Sequence, residues 1–138
     1  MAAHHYSVTL QVWRFTGSRP KMEEFLDQLV IHPSDNVKKR KTPNRRVDLF
    51  LIEQAEFSDA EEPSEAFAQE LESRLAQATK WLDKQPVALF TNLRKTGFNT
   101  VVLFSGWIDC DQMDLDLPAV FLKACGRLGL KISIITND

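Results

Sequence analysis

The sequence predicts an α+β (or α/β) fold, in which three to four helices pack on a four-stranded sheet. Apolar and polar residues alternate near 6–15 and 130–136, as they do in strands with one buried face. Around 20–31 and 64–84, apolar residues recur three and four positions apart, as they do in amphipathic helices. The predicted order is β-α-β-α-(α)-β-α-β in a single domain spanning 1–138, and mixed pairing in the sheet is left open.

The first half of the chain supplies two of the strands and two of the helices. The buried face of the opening strand is predicted to consist of Tyr6, Val8, Leu10 and Val12. A second strand is predicted over 46–54. The longest helix begins at Pro63-Ser64. Its apolar stripe consists of Phe67, Leu71, Leu75, Ala78 and Leu82.

The last third of the chain reads as strand, acidic stretch, helix, glycine and strand. The first of these strands covers 98–105 and ends where Ser105-Gly106 interrupts the apolar run. A helix follows over 117–128, capped by Asp116 or Leu117 and ended by Gly129. The buried stripe of this helix is predicted to contain Val120, Phe121, Ala124, Cys125 and Leu128. In the closing strand, Leu130, Ile132 and Ile134 alternate with Lys131 and Ser133.

Residues 86–96 are compatible with two structures. They can form a short helix with a glycine cap at Gly97, or a strand in a hairpin with 98–105. Short apolar runs do not distinguish a buried helix from a strand, so both interpretations stay open.

Composition argues against several classes of protein. The net charge of −2 and the pI of about 5.9 argue against a general nucleic-acid binder. Cys110 and Cys125 are too few for a disulfide framework, and we expect both to stay reduced. No apolar run approaches the roughly 20 residues of a membrane helix, and no signal-peptide core opens the chain. We therefore expect a cytoplasmic protein without a membrane partner.

The acidic segment, defined as Asp109–Asp116, is the first candidate site. Its four aspartates are Asp109, Asp111, Asp114 and Asp116. Hard cations such as Ca²⁺ take several oxygen ligands from one loop, but the glycine and the final glutamate of an EF-hand are absent, and no nucleophile or histidine accompanies the carboxylates. The simpler interpretation is a solvated loop in which Asp116 caps a helix. No metal and no cofactor is predicted.

The basic segment, defined as residues 38–46, is the second candidate. Its cations are Lys38, Lys39, Arg40, Lys41, Arg45 and Arg46. Repulsion between like charges and the presence of Pro43 predict an exposed loop. Such a loop can neutralise phosphates, although it lacks the interleaved aromatic residues that stack on bases. It can also dock on an acidic protein surface.

Trp107 is the aromatic residue best placed to bind a partner, because it follows Gly106 and precedes the acidic segment. An exposed Trp107 would form an aromatic and acidic patch with Asp109, Asp111 and Asp114, and such a patch suits a basic protein. The chain lacks zinc-ligand spacing, a nucleophile elbow and dinucleotide-binding glycines. An enzyme is therefore less expected than a binding protein.

Three stretches together resemble a known protein family. They are the opening YSVTLQVW strand, the segment HPSDNVKKRKTPNRR, and the closing LDLPAVFLKACGRLGLKISI. Their order is similar to that of the bacterial domain-of-unknown-function family four-two-seven-nine, over most of the chain. That family usually carries a Trp and a Gly before its basic residues, where this chain has Val37 and Lys39–Arg40. The resemblance supplies no catalytic residue; it implies a small bacterial accessory protein, and some members look like toxin-immunity partners.

These observations lead to three hypotheses about function. The first is a non-enzymatic bacterial protein–protein interaction module, for instance a toxin-immunity protein that docks on its toxin and blocks it. The second is a binder of nucleic acid or of a phosphate ligand through the basic segment. The third is a metal-dependent enzyme built on the acidic segment. A homodimer is a further expectation, because strands 6–15 or 130–136 can pair between chains if they lie at a sheet edge.

Overall fold

The computed structural model describes residues 2–13, 25, 27–31, 38–41, 46–59, 65–107 and 116–136. Phe25, Asp27 and Gln28 are helical. These helical residues lie between the first two strands. In chain order, the numbered elements are β1 (Ala2–Trp13), β2 (Lys38–Lys41), β3 (Arg46–Asp59), α1 (Glu65–Asp83), α2 (Val87–Lys95), β4 (Asn99–Trp107), α3 (Ala119–Arg127) and β5 (Lys131–Thr136). The predicted α+β class is therefore confirmed.

The strands form a five-stranded mixed sheet in the order β2-β3-β1-β4-β5. The pairs β2–β3, β3–β1 and β1–β4 are antiparallel, whereas β4–β5 is parallel. A parallel pair needs a crossover connection, and the stretch that contains α3 provides it. Of the two strands named as possible sheet edges, the strand predicted over 6–15 is not one, because β1 is central. The strand predicted over 130–136 does lie at an edge.

The apolar core lies on one side of this sheet. The alternating residues Tyr6, Val8, Leu10 and Val12 of β1 are all buried, as predicted. The buried apolar residues of α1, α2 and α3 join the same cluster. Full burial of one such side chain contributes roughly 1.5–3 kcal/mol. We call the side of the sheet that carries this core the helix side, and the opposite side the open side.

Two arginines connect the helix ends. Arg94, at the end of α2, donates a hydrogen bond to the Leu128 carbonyl just after α3. Positive side chains are favourable at helix C-termini, where backbone carbonyls lack partners. Arg127, at the end of α3, donates from Nη2 to three carbonyls at the end of α1, those of Leu82 (2.9 Å), Asp83 (3.2 Å) and Gln85 (2.9 Å).

Residues 87–95 form a helix, and Gly97 follows it with φ at 91°, so the interpretation with a glycine cap is the one that holds. By contrast, the predicted break at Ser105-Gly106 is wrong, because β4 continues to Trp107. A Cβ atom on Gly106 would lie 2.5 Å from the His5 carbonyl oxygen of β1. The glycine therefore permits close approach of two strands and does not end one.

Candidate functional site

The ends of β4 and β5 and the start of α3 meet at one corner of the sheet. Thr136 stands opposite Gly106, so the parallel strands β4 and β5 end together. Lys131 stands opposite Val101 near the start of β4, so the chain has to run back along the sheet between Trp107 and Lys131. The N-terminus of α3 consequently lies at the strand ends. We call the end of β4, the acidic segment and the first turn of α3 the acidic corner.

The start of α3 differs from the prediction. Pro118 is the N-cap residue, and no side chain caps the helix. The Pro118 carbonyl accepts hydrogen bonds from the amides of Phe121 (3.0 Å) and Leu122 (3.1 Å). The prediction that Asp116 or Leu117 caps this helix is therefore wrong. Asp116 is exposed two residues before the cap, and its carboxylate is accessible to a partner.

The first turn of α3 exposes apolar side chains. Val120 is 61% exposed and Leu122 is 44% exposed. The prediction that Val120 belongs to the buried stripe is wrong, whereas Phe121, Ala124, Cys125 and Leu128 are buried as predicted. Neighbouring helix residues point about 100° apart, so a residue beside Phe121 need not share its face. The described part of the acidic corner thus combines exposed aliphatic groups with one exposed acidic residue, Asp116.

Of the predicted acidic site, the structure describes only the two ends. Trp107 closes β4, and its backbone pairs with that of His5 at the end of β1. Asp109, Asp111 and Asp114 lie outside the described residues. The grouping of Trp107 with these aspartates stays a prediction, supported by the position of both segment ends at one corner.

The basic segment is a strand at its beginning, so the prediction of a continuous loop is wrong. Lys38–Lys41 forms β2, which pairs with β3. In this register Lys38 and Arg40 stand opposite Phe50 and Asp48, while Lys39 and Lys41 stand opposite Leu49 and Val47. An edge strand tolerates a run of cations because one of its sides is open to water. Arg45 lies outside the described residues, and Arg46 begins β3.

Arg46 forms an ion pair with Asp48 on the open side. Its Nε atom lies 3.0 Å from Asp48 Oδ1, and its Nη2 atom donates to Asp48 Oδ2 at 3.2 Å. The Asp48 side chain is only 7% exposed, whereas that of Arg46 is 44% exposed. A buried carboxylate without a cation nearby would be strongly destabilising. Arg46 therefore has a structural role beside any role in ligand binding.

Two buried side chains have raised pKa values, and neither suits a catalytic role. Burial raises the pKa of the Cys125 thiol to about 11. Burial also raises the pKa of Tyr6 to about 12; the smaller effects are those of Arg74, which lowers it, and Glu70, which raises it. A reactive cysteine needs a lowered pKa because the thiolate is the nucleophile. Cys125 is a core residue, as predicted.

In the part of the chain that the structure describes, no three His, Cys, Asp or Glu residues are grouped so that they could hold a metal ion. The acidic segment lies largely outside that part, so the metal-dependent enzyme stays a hypothesis. Calorimetry with Ca²⁺, Mg²⁺ and Mn²⁺ would test it. None of the helices in the described ranges has the length and hydropathy that crossing a bilayer requires.

Comparisons with known proteins do not assign a family. No family model, no curated protein and no solved structure matches the chain. The resemblance to family four-two-seven-nine stays a prediction. The function must therefore be argued from the residues themselves.

The sequence interpretation missed a second group of exposed apolar residues, on β5. Ile134 is 47% exposed and Ile135 is 43% exposed. The alternation places Ile134 on the same side of the strand as Ile132, which packs partly against the core. Consecutive strand residues point to opposite sides, so the adjacent pair Ile134-Ile135 was itself a signal that one of them lies outside the core.

Proposed function

We propose that this protein is a non-enzymatic binding module that docks the basic surface of another protein on its acidic corner, as a toxin-immunity protein does. The observation that carries the proposal is the exposure of Val120 and Leu122 directly after the acidic segment. Large aliphatic groups exposed within a polar surround are typical of protein-binding sites, and these two lie on either flank of the buried Phe121.

The two kinds of residue have different roles in this proposal. Covering the exposed halves of Val120 and Leu122 contributes roughly 1 kcal/mol each, and Trp107 would add an aromatic anchor. The carboxylates of the acidic segment would steer a basic partner and speed association, an effect that salt screens. The partner's own site is then occluded by the docked module.

Affinity capture with the full chain tests this proposal. Bait protein is incubated with bacterial lysate, treated with nuclease and washed in moderate salt, and the eluate is identified by mass spectrometry. We expect one stoichiometric protein. The triple variant D109N/D111N/D114N should capture less of it, and so should Leu122→Asp. The matched control is Asp27→Asn/Glu72→Gln/Asp83→Asn, which removes three exposed negative charges outside the acidic segment.

The association rate of the captured protein distinguishes steering from simple contact. We expect the triple variant to associate at least about tenfold more slowly and with a weaker dependence on salt. The control variant should behave like the wild type. A captured protein that binds the triple variant at an unchanged rate would contradict the role of the acidic segment.

A second candidate function is favoured by the register of β2. Lys38 stands opposite Phe50 and Arg40 opposite Asp48 in the pairing of β2 with β3, so a partly exposed aromatic residue accompanies the basic segment. Cations beside a partly exposed aromatic ring are the elements that bind single-stranded nucleic acid. A gel shift with single-stranded DNA and RNA at low salt tests it. Binding should be lost in K38A/R40A, and no shift with the wild type removes this candidate.

A further inference from the structure

The two outer strands of the described sheet have opposite compositions. Every residue of β2, Lys38–Lys41, is a cation. In β5, Lys131 is the single charged residue, and three of the six are isoleucines. Outer strands present unpaired N–H and C=O groups that can pair with another strand, and natural proteins block this with charge. β2 carries such a block and β5 does not.

Within the described ranges, the outer edge of β5 combines backbone groups that no other strand pairs with and exposed apolar side chains. On its inner edge β5 pairs with β4 from Lys131 to Thr136, and no strand in the described ranges pairs with its outer edge. Ile134 lies on the helix side beside Phe104, yet it is 47% exposed. An occupant that covers Ile134 and satisfies the backbone groups has to be a strand.

We propose that β5 pairs antiparallel with β5 of a second copy, in a two-fold symmetric dimer centred on Ser133. This goes beyond the proposed function, because it uses the sheet edge and leaves the acidic corner free. In this register Ser133 faces its own equivalent, and Ile132 faces Ile134 of the second copy. The four isoleucines extend the helix side of both sheets across the dimer axis.

The charge pattern selects this occupant. In the antiparallel arrangement the two Lys131 residues stand four positions apart along the strands, about 13 Å, so they do not repel strongly. The same symmetry applied to β2 always places one cation opposite another, which is destabilising. Pairing of β5 with itself therefore adds cross-strand isoleucine pairs and brings no like charges together.

The size of the edge predicts a weak dimer. Each copy contributes one six-residue strand, which places the interface at the small end of the range for specific complexes. Cross-strand pairs contribute roughly 0.2–1 kcal/mol each. We therefore expect a concentration-dependent equilibrium with a Kd in the range of about 1 µM to 1 mM.

Sedimentation equilibrium of the full chain from about 1 µM to about 1 mM tests the dimer. We expect the mass to rise toward that of two chains. Ile134→Lys should weaken association at least tenfold while circular dichroism stays native, because the substituted side chain is already half exposed. The control Leu122→Lys makes the same change at a similarly exposed position on α3 and should dimerise as the wild type does.

Cross-linking tests the register. In a Cys110→Ser background, Ser133→Cys should form a disulfide-linked dimer on mild oxidation. Lys131→Cys should not, because its equivalents lie about 13 Å apart and a disulfide needs Cα atoms within roughly 7 Å. The proposal is overturned if the wild type stays monomeric, if Ile134→Lys dimerises unchanged, or if Lys131→Cys links as readily as Ser133→Cys. None of these outcomes affects capture of a basic partner by the acidic corner, so the two proposals fail separately.

Discussion

Position 129 requires a glycine for two reasons, its backbone conformation and the close contact with a neighbouring side chain. Its φ of 69° lies in the left-handed region, and a Cβ atom there would meet the Arg94 guanidinium at 2.5 Å. We expect Gly129→Ala to lower the free energy of unfolding by about 2 kcal/mol, from backbone strain of about 1–2 kcal/mol and a displaced Arg94. Urea denaturation measures the change.

Gly126 is the matched control for this substitution. It lies three residues earlier, within α3, and a Cβ atom there would meet nothing within 4 Å. We expect Gly126→Ala to stabilise the protein by up to about 1 kcal/mol through helix propensity. Equal effects of the two substitutions would contradict the assignment of Gly129.

Tyr6 gives the protein a pH dependence at alkaline pH. Burial raises its pKa from 10.0 to about 12, so the native state keeps a proton that the unfolded state releases between these values. The unfolded state then binds fewer protons, and stability falls as pH rises, by up to about 1.4 kcal/mol per pH unit. Denaturation at increasing pH should show this slope, and Tyr6→Phe should reduce it.

A direct reading of this titration is possible because Tyr6 is the only tyrosine of the chain. Tyrosinate absorbance of the folded protein therefore reports on this one residue. An absorbance midpoint near pH 10 in the folded state would contradict the raised pKa. The slope that persists in Tyr6→Phe is the part expected from Cys125, whose pKa burial raises to about 11.

At the scale of residues, the role of a residue could be predicted from the sequence where that role depends on local conformation. Gly97 and Gly129 follow helices with positive φ, and Cys125 is in the core, as predicted. The prediction for Gly106 is wrong because a glycine is needed there for close contact with β1, a strand about a hundred residues away in the chain. Local patterns contain no information about such a contact.

At the scale of elements, Gln85 joins two segments that are distant in sequence. Its side chain is buried, with Oε1 accepting from the Val30 amide at 2.9 Å and Nε2 donating to the Val30 carbonyl at 2.8 Å. Nε2 also lies 3.0 Å from the Trp81 carbonyl, at the end of α1. The amide thus substitutes for backbone pairing between the two segments.

We expect Gln85→Leu to destabilise the protein by about 1–3 kcal/mol, because the partly buried amide and carbonyl of Val30 lose their partner. Gln77→Leu, at an exposed position of α1, is the control and should change stability by less than about 0.5 kcal/mol. Thermal or urea denaturation measures both. A Gln85→Leu variant as stable as the control would show that Val30 finds other partners.

Long helices and strands could be predicted from the sequence more reliably than short ones. The nineteen-residue helix α1, Glu65–Asp83, matches the helix predicted over 64–84, because its apolar stripe repeats over five turns. β2 was not predictable, since four consecutive cations have no alternation, and only the neighbouring edge of β3 makes them a strand. Its existence depends on tertiary pairing and not on strand propensity.

At the scale of the whole molecule, the sheet has one edge that resists pairing and one that permits it. The order β2-β3-β1-β4-β5 puts the cationic strand and the isoleucine strand at opposite ends. A sheet with two permissive edges can grow without limit, whereas one with a single self-complementary edge stops at a dimer. If β5 pairs as proposed, we expect the cations of β2 to limit assembly to the dimer, whether or not they also bind a ligand.

This role of β2 leads to a prediction about Lys39 and Lys41, which stand opposite Leu49 and Val47. Replacing both with valine removes two charges from the edge and adds β-branched residues that favour strand pairing. We expect K39V/K41V to form soluble oligomers larger than a dimer and then to precipitate, as measured by light scattering over concentration and time. The matched control is K80V/K95V, which makes the same change at exposed positions of α1 and α2.

If the two variants aggregate equally, the cause is the loss of positive charge in general and not the loss of charge at the sheet edge. If only K39V/K41V assembles, and a further Ile134→Lys substitution stops growth at small oligomers, then each edge has the separate role assigned to it.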